Sequence, residues 1–236
     1  MGFTALSKPD SNRLGISKNT QQYESRLNMD NTLLRSYKME YDTGFAPNPY
    51  GEVLTLATCK PGIRRCAKKD DEWVEWVAGF TSKKLLPSTT IGQEKLIYLM
   101  KVDKKLRFEE YYEQYPEKRP DKCDCGDNIY RLVNGKYEQV PNKYHDINCC
   151  GEDTSSPYVL LATEFYYFGR DAVVVPEKYR PKVPKNTTEC GCKTKDEQAL
   201  IFIDWVKNVA AKNKHGLIGE PHGSKPGSCS KNKCKC

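Results

Sequence analysis

No stretch of this chain approaches the roughly 20 consecutive apolar residues that a membrane-spanning helix needs, so no membrane association is expected. The first residues, Met1-Gly2-Phe3-Thr4-Ala5-Leu6, lack the apolar centre of a secretory signal. Leu6 stands where a myristoylation signal needs Ser or Thr. A cytoplasmic location is therefore the expectation. The chain also has no Gly-x-x-x-x-Gly-Lys phosphate loop, no Gly-x-Gly-x-x-Gly fingerprint and no His-x-Glu paired with Pro-Cys-x-x-Cys. Histidine is scarce, with three in 236 residues, and only His145 falls within the stretch dense in strand signals.

Cysteine is plentiful, at eleven residues. An odd count without an export signal favours reduced thiols over a disulfide framework. Cys123 and Cys125, Cys149 and Cys150, Cys190 and Cys192, and Cys234 and Cys236 are separated by one residue or none. Structural zinc commonly takes pairs spaced by two to four residues, so no metal is expected, and no cofactor. Hydrophobic residues are 38% of the chain and the mean hydropathy is −0.75, polar enough that some segments should lie outside the core. Fifteen tyrosines argue against general disorder. A net charge of +7 admits an anionic partner without demanding one.

Residues 1–31 are polar and aperiodic, and read as a flexible arm. The ordered body should run over 32–222 as one domain. The Lys/Cys-rich residues 223–236 read as a flexible tail. Strand patterns are expected over Val53–Thr58, Trp73–Phe80, Leu96–Val102, Val159–Ala162, Phe165–Phe168 and Ala172–Val175. Asn134-Gly135 between two alternating runs predicts a hairpin, because both turn residues tolerate positive φ. Phe108–Tyr115 predicts a short acidic helix. Ala199, Phe202, Ile203, Val206, Val209 and Ala210 recur at helical spacing, predicting a helix over Lys195–Lys214 with a capping box from Thr194 and Glu197. These elements predict an α+β fold. Its sheet should be strongly bent and mostly antiparallel, in the extreme a barrel like those of base-reading modules, with the C-terminal helix packed on it.

The block Tyr41-Asp42-Thr43-Gly44-Phe45-Ala46-Pro47-Asn48-Pro49-Tyr50, followed by Leu56-Ala57-Thr58-Cys59-Lys60-Pro61-Gly62-Ile63-Arg64, resembles the second of the nucleotide modification associated domains. Further matching segments are Gly79-Phe80-Thr81-Ser82-Lys83, Lys95–Val102, Gly126–Tyr130, Phe165–Gly169 and Gly216-Leu217-Ile218-Gly219-Glu220-Pro221. The resemblance spans about Thr32 to Pro221. It implies a nucleotide or nucleic acid as partner, within a nucleic-acid modification or phage–host conflict system. Binding of a nucleotide or modified base, enzymatic modification of one, and sequestration of a small nucleotide signal all stay open, as does the oligomeric state.

Candidate residues follow from side-chain chemistry. Asp42 and Asn48 can pair with base edges, and Phe45 can stack on a base face. The Pro47 and Pro49 bonds hold their loop extended. A purely structural loop is the alternative. Lys60 and Arg64 belong to a basic run that suits phosphate. Ser82 and Lys83 offer a hydroxyl and an ammonium at a strand end. In Phe165–Phe168 alternate residues face opposite ways, so Tyr167 is a candidate stacking side chain. His145, with Asp42, is the acid/base candidate.

Overall fold

The computed structural model describes residues 31–68, 72–186, 189–210 and 215–223. The expected arm, except residue 31, and the expected tail, except residue 223, lie outside these residues. The chain opens with β1 (Thr32–Met39), β2 (Leu54–Leu56), α1 (Pro61–Cys66), β3 (Val74–Thr81) and β4 (Lys95–Lys101). Next come β5 (Lys104–Arg107), α2 (Phe108–Gln114), β6 (Tyr130–Val133), β7 (Lys136–Gln139), α3 (Cys150–Thr154) and β8 (Tyr158–Ala162). It closes with β9 (Phe165–Tyr167), β10 (Val173–Val174), β11 (Cys192–Lys195), α4 (Asp196–Ala210) and β12 (Gly216–Leu217).

The strands divide among three sheets. The largest has the order β11-β1-β3-β4-β9-β12, with β10 paired to β4. It is mixed: β1 runs parallel to β3, and β12 parallel to β9, among antiparallel neighbours. Parallel neighbours need a crossover, and β2 with α1 forms the one between β1 and β3. A three-stranded antiparallel sheet, β2-β8-β5, lies beside it, and β6 and β7 form a separate hairpin. No closed barrel is found among the described residues. The barrel expectation counted short strands, but the strands stop at the ends of separate sheets.

Alternation along each strand builds the layers. Leu34, Trp76, Ala78 and Leu99 face Ala199, Phe202, Ile203 and Val206 of α4. The opposite face presents Tyr37, Met39, Val77, Tyr98 and Tyr167 to Leu54, Leu56, Ile63 and Leu160. Val159 and Leu161, on the other side of β8, meet Phe45, Phe108, Tyr111, Ile129 and Tyr130. Fully burying one such large side chain contributes about 1.5–3 kcal/mol, so three stacked apolar layers hold the loops between them firmly.

The C-terminal helix packs as the stripe predicts, except that Val209 sits on its exposed shoulder. The helix is described to Ala210, and the expected end at residues 211–214 lies outside the described residues. The capping box is corrected: Thr194 belongs to β11, and its hydroxyl accepts the Lys182 N–H at 3.0 Å. The hairpin forms as expected, with Asn134 at φ 49° and Gly135 at φ 74°. Reduced thiols are corrected for one pair, because Cys66 of α1 is disulfide-bonded to Cys190, just before β11. Among the described residues no helix is long and apolar enough to cross a membrane.

Candidate functional site

The loop after β1 delivers Asp42 into the protein with 1% of its surface exposed. One carboxylate oxygen accepts the Tyr167 hydroxyl. The other accepts the backbone N–H of His222 at 3.1 Å and lies 2.6 Å from the His222 Nδ1. Tyr167 stands beside Tyr98, their ring centroids 6.4 Å apart, and the Tyr98 hydroxyl bonds that of Tyr37 at 2.8 Å. Burial pushes the Tyr37, Tyr98 and Tyr167 phenols up, so they serve as neutral hydrogen-bonding groups. The half-buried Lys60 ammonium rests 5.7 Å from the centroid of the Tyr37 ring.

His222 reaches Asp42 across a separation of 180 residues, because the chain end docks on β9. There β12 pairs with Tyr166 and Tyr167. The Arg170 N–H donates to the Glu220 carbonyl at 2.8 Å, and Arg170 Nε donates to the Pro221 carbonyl at 2.8 Å. Two glycines permit this approach. A Cβ on Gly219 would lie 2.1 Å from the Phe168 carbonyl oxygen, and one on Gly169 would lie 2.2 Å from the Glu220 carbonyl oxygen. Sequence reasoning missed His222; the Gly-rich signature ending at Pro221 was the available signal.

A second polar centre forms around Asp153 of α3. Its Oδ1 accepts the Cys59 backbone N–H at 2.7 Å and Arg64 Nη2 at 3.1 Å. Its Oδ2 accepts the Tyr130 hydroxyl at 2.9 Å and lies 2.8 Å from His145 Nε2. Arg64 is wholly buried. It also donates to the carbonyls of Cys59, Ser156, Tyr158 and Asp153, and it lies over the Phe108 ring at 5.3 Å. All five guanidinium N–H groups are thereby used within the protein. Phe45 is core, stacked on Tyr144 and His145 at 5.2 and 6.1 Å.

Electrostatics follow from these contacts. Burial alone would lower the His145 pKa, but the neighbouring Asp153 and Cys59 outweigh burial and raise it to about 11. Burial likewise opposes ionisation of Asp153, yet His145 and Arg64 prevail and hold its carboxyl below the usual range. Half-buried Tyr50 is pushed up to about 12, by burial first and then by Cys125, Glu220 and Asp42 among its neighbours.

The remaining sequence candidates lie elsewhere. Asn48 is fully buried. It donates to the Cys125 carbonyl at 2.6 Å and accepts from Tyr50 N–H at 3.1 Å and Lys118 Nζ at 3.0 Å. Ser82 and Lys83 line a cavity of about 480 Å³ together with Lys38, Lys84 and Lys185. Glu40 and Glu94 on its wall pair with Lys84 and Lys38, each at 2.9 Å. The structure thus joins Asp42 to Tyr167, and Arg64 and His145 around Asp153, with Phe45 stacked on His145. It leaves Asn48 and the Ser82–Lys83 pair apart from both. Tyr166 and Phe168, on the opposite side of that strand from Tyr167, are buried as well. Among the described residues, no group of three or more His, Cys, Asp or Glu side chains gathers to hold a metal ion.

Fold and site together define a layered α+β protein with two carboxylate–histidine pairs beside a sheet core and a lysine-lined cavity. The chain belongs to the nucleotide modification associated domain 2 family, which matches residues 31–226. No curated protein and no solved structure matches it.

Proposed function

We propose that this protein binds a nucleotide, free or within a nucleic acid, or a modified base, as part of a cytoplasmic nucleic-acid modification or phage–host conflict system. Family membership supplies the context. The observation that carries the reading is the cavity bearing Ser82 and Lys83. Its roughly 480 Å³ falls within the range of about 300–1,000 Å³ common for small-ligand sites. Lys83 and Lys185 on its wall are exposed. Together with the Ser82 hydroxyl, they suit a phosphate, a contact that positions a ligand without reading its base. Asp42, Phe45, Asn48, Arg64 and Tyr167 act from beneath the surface in this reading, fixing the loops rather than touching the ligand.

A second reading, an enzyme that modifies the nucleotide, is favoured by His222 and His145, each held by a buried carboxylate. Such a pairing orients an imidazole for proton transfer. Incubating the protein with a defined mixture of nucleoside 5′-monophosphates tests both readings. Retention of unchanged nucleotide supports binding, and a new mass in the pool supports modification. No retention and no change would remove both.

A further inference from the structure

We propose that Cys59 is a nucleophile assisted by His145 and positioned by Asp153, and that this group takes an electrophilic sp2 carbon, such as a ring carbon of a heterocyclic base. The geometry has the order that nucleophilic catalysis uses, in which an imidazole meets the nucleophile and a carboxylate orients the imidazole. Cys59 and His145 meet at Asp153, and Cys59 is among the groups that raise the His145 pKa, while its Sγ lies 3.8 Å from the Thr58 hydroxyl. The His145 Nε2 lies 2.8 Å from Asp153 Oδ2, and Asp153 Oδ1 accepts the Cys59 backbone N–H at 2.7 Å. One carboxylate therefore fixes both the backbone of the nucleophile and the imidazole that assists it.

Burial divides the roles. His145 is 5% exposed, whereas Cys59 keeps part of its surface open. Cys59 also turns through φ 55° and Lys60 through φ 47°, a sharp bend that ends at Pro61, the first residue of α1. Asp153 would anchor this bend through the Cys59 N–H, Arg64 and Tyr130 alone. A sheltered imidazole placed against the thiol is not needed for that anchoring.

Among the described residues, the charged and titratable groups facing the pair include Asp153 and Cys150 from α3, Arg64 from α1, Tyr130 from β6 and Tyr37 from β1. The raised pKa of His145 keeps it an imidazolium at neutral pH, and an adjacent cation favours the thiolate. Burial first, then Asp153, pushes the nearby Cys150 thiol up, against a smaller lowering by His145. The two cysteines should therefore behave differently.

In the proposed step the thiolate lone pair forms a C–S bond to the sp2 carbon. The displaced π pair moves onto the ring, where it takes the proton of His145. Reversal returns the proton to His145 and the electron pair to sulfur. No oxidant or reductant is involved.

The test treats the full-length protein with iodoacetamide between about pH 6 and about pH 8.5 and reads each cysteine by peptide mass spectrometry. Sulfur displaces iodide, so the rate reports the thiolate fraction. Cys59 should keep its rate within about threefold across this range, whereas Cys150 should slow by about tenfold per pH unit on acidification. His145→Gln should move Cys59 onto the ordinary thiol profile, with at least about a tenfold loss of rate near pH 6. An ordinary profile for Cys59 in the unaltered protein, or an unchanged profile in a folded His145→Gln, overturns the proposal. If that variant does not fold, the profile of the unaltered protein decides. Iodoacetamide needs no nucleotide, so failure here leaves the lysine cavity as a nucleotide site untouched.

Discussion

Arg64 and Asp153 form an ion pair in which both side chains are almost completely buried, with Nη2 3.1 Å from Oδ1. The pair ties α1 to α3 and closes the floor beneath the Cys59 bend. Burying a charge costs free energy unless its partners are all in place, and here the guanidinium has five acceptors.

Replacing Arg64 with Ala should lower stability by about 3–5 kcal/mol, the usual consequence of leaving one partner of a buried pair alone. Arg64→Lys should not restore it, because an ammonium cannot reproduce the planar fork. Urea unfolding of the purified variants reads both. An unchanged midpoint for Arg64→Ala would mean that Arg64 is not the structural cation described here. Asn48→Ala should cost about 1–3 kcal/mol by stripping a buried acceptor from Lys118.

Stability should depend on pH through the Asp153–His145 pair. The Asp153 pKa is lowered in the folded protein. Its contribution is therefore present above the ordinary carboxylate value of about 4 and fades as the pH falls further. The His145 pKa is raised to about 11. Its contribution is complete below the unfolded value of about 6.5 and declines as the pH rises toward 11. The two together give greatest support between about pH 4 and about pH 6.5. Urea midpoints measured from acid to alkaline pH should show this window, and His145→Gln should flatten the alkaline decline. An alkaline decline equal in the two proteins would place its cause elsewhere.

Docking of the chain end should depend on Gly219. In Gly219→Ala the new Cβ would clash with the Phe168 carbonyl oxygen, so the segment that carries His222 should detach while the sheet core persists. Hydrogen–deuterium exchange should then show faster exchange over Gly216–Gly223 and at Arg170, whose N–H bonds Glu220, with β3 and β4 still protected. Unchanged exchange in the segment would contradict the close-approach argument.

Local chemistry made much of the fold legible. Asn134-Gly135 fixed the hairpin, and the stripe from Ala199 to Ala210 fixed α4 and the face it buries. α1 was not legible: Pro61-Gly62 reads as a break, although proline suits the first turn of a helix, and only six residues follow the turn. The parallel pairing of β1 with β3 was hidden too, because period-two alternation says which face is buried and not which strand lies alongside. At the site, Asp42 and His145 were visible as chemistry but not as geometry. The partner of Asp42, His222, comes from 180 residues away, and the partner of His145, Asp153, is turned back toward it by α3. Asn48 and Arg64 look like ligand-binding residues because they are polar. Their complete hydrogen bonding inside the protein is a tertiary fact that no local pattern encodes.

The most direct test of the nucleotide-binding account is equilibrium binding of nucleoside 5′-monophosphates and their parent nucleosides to the protein and to Lys83→Ala, at about 50 and about 200 mM salt. The account predicts that the monophosphates bind more tightly than the nucleosides and weaken with salt. Lys83→Ala should weaken every monophosphate alike and reduce the salt slope by about one. Equal affinity for nucleoside and monophosphate, or a folded Lys83→Ala that binds as the parent does, would contradict it.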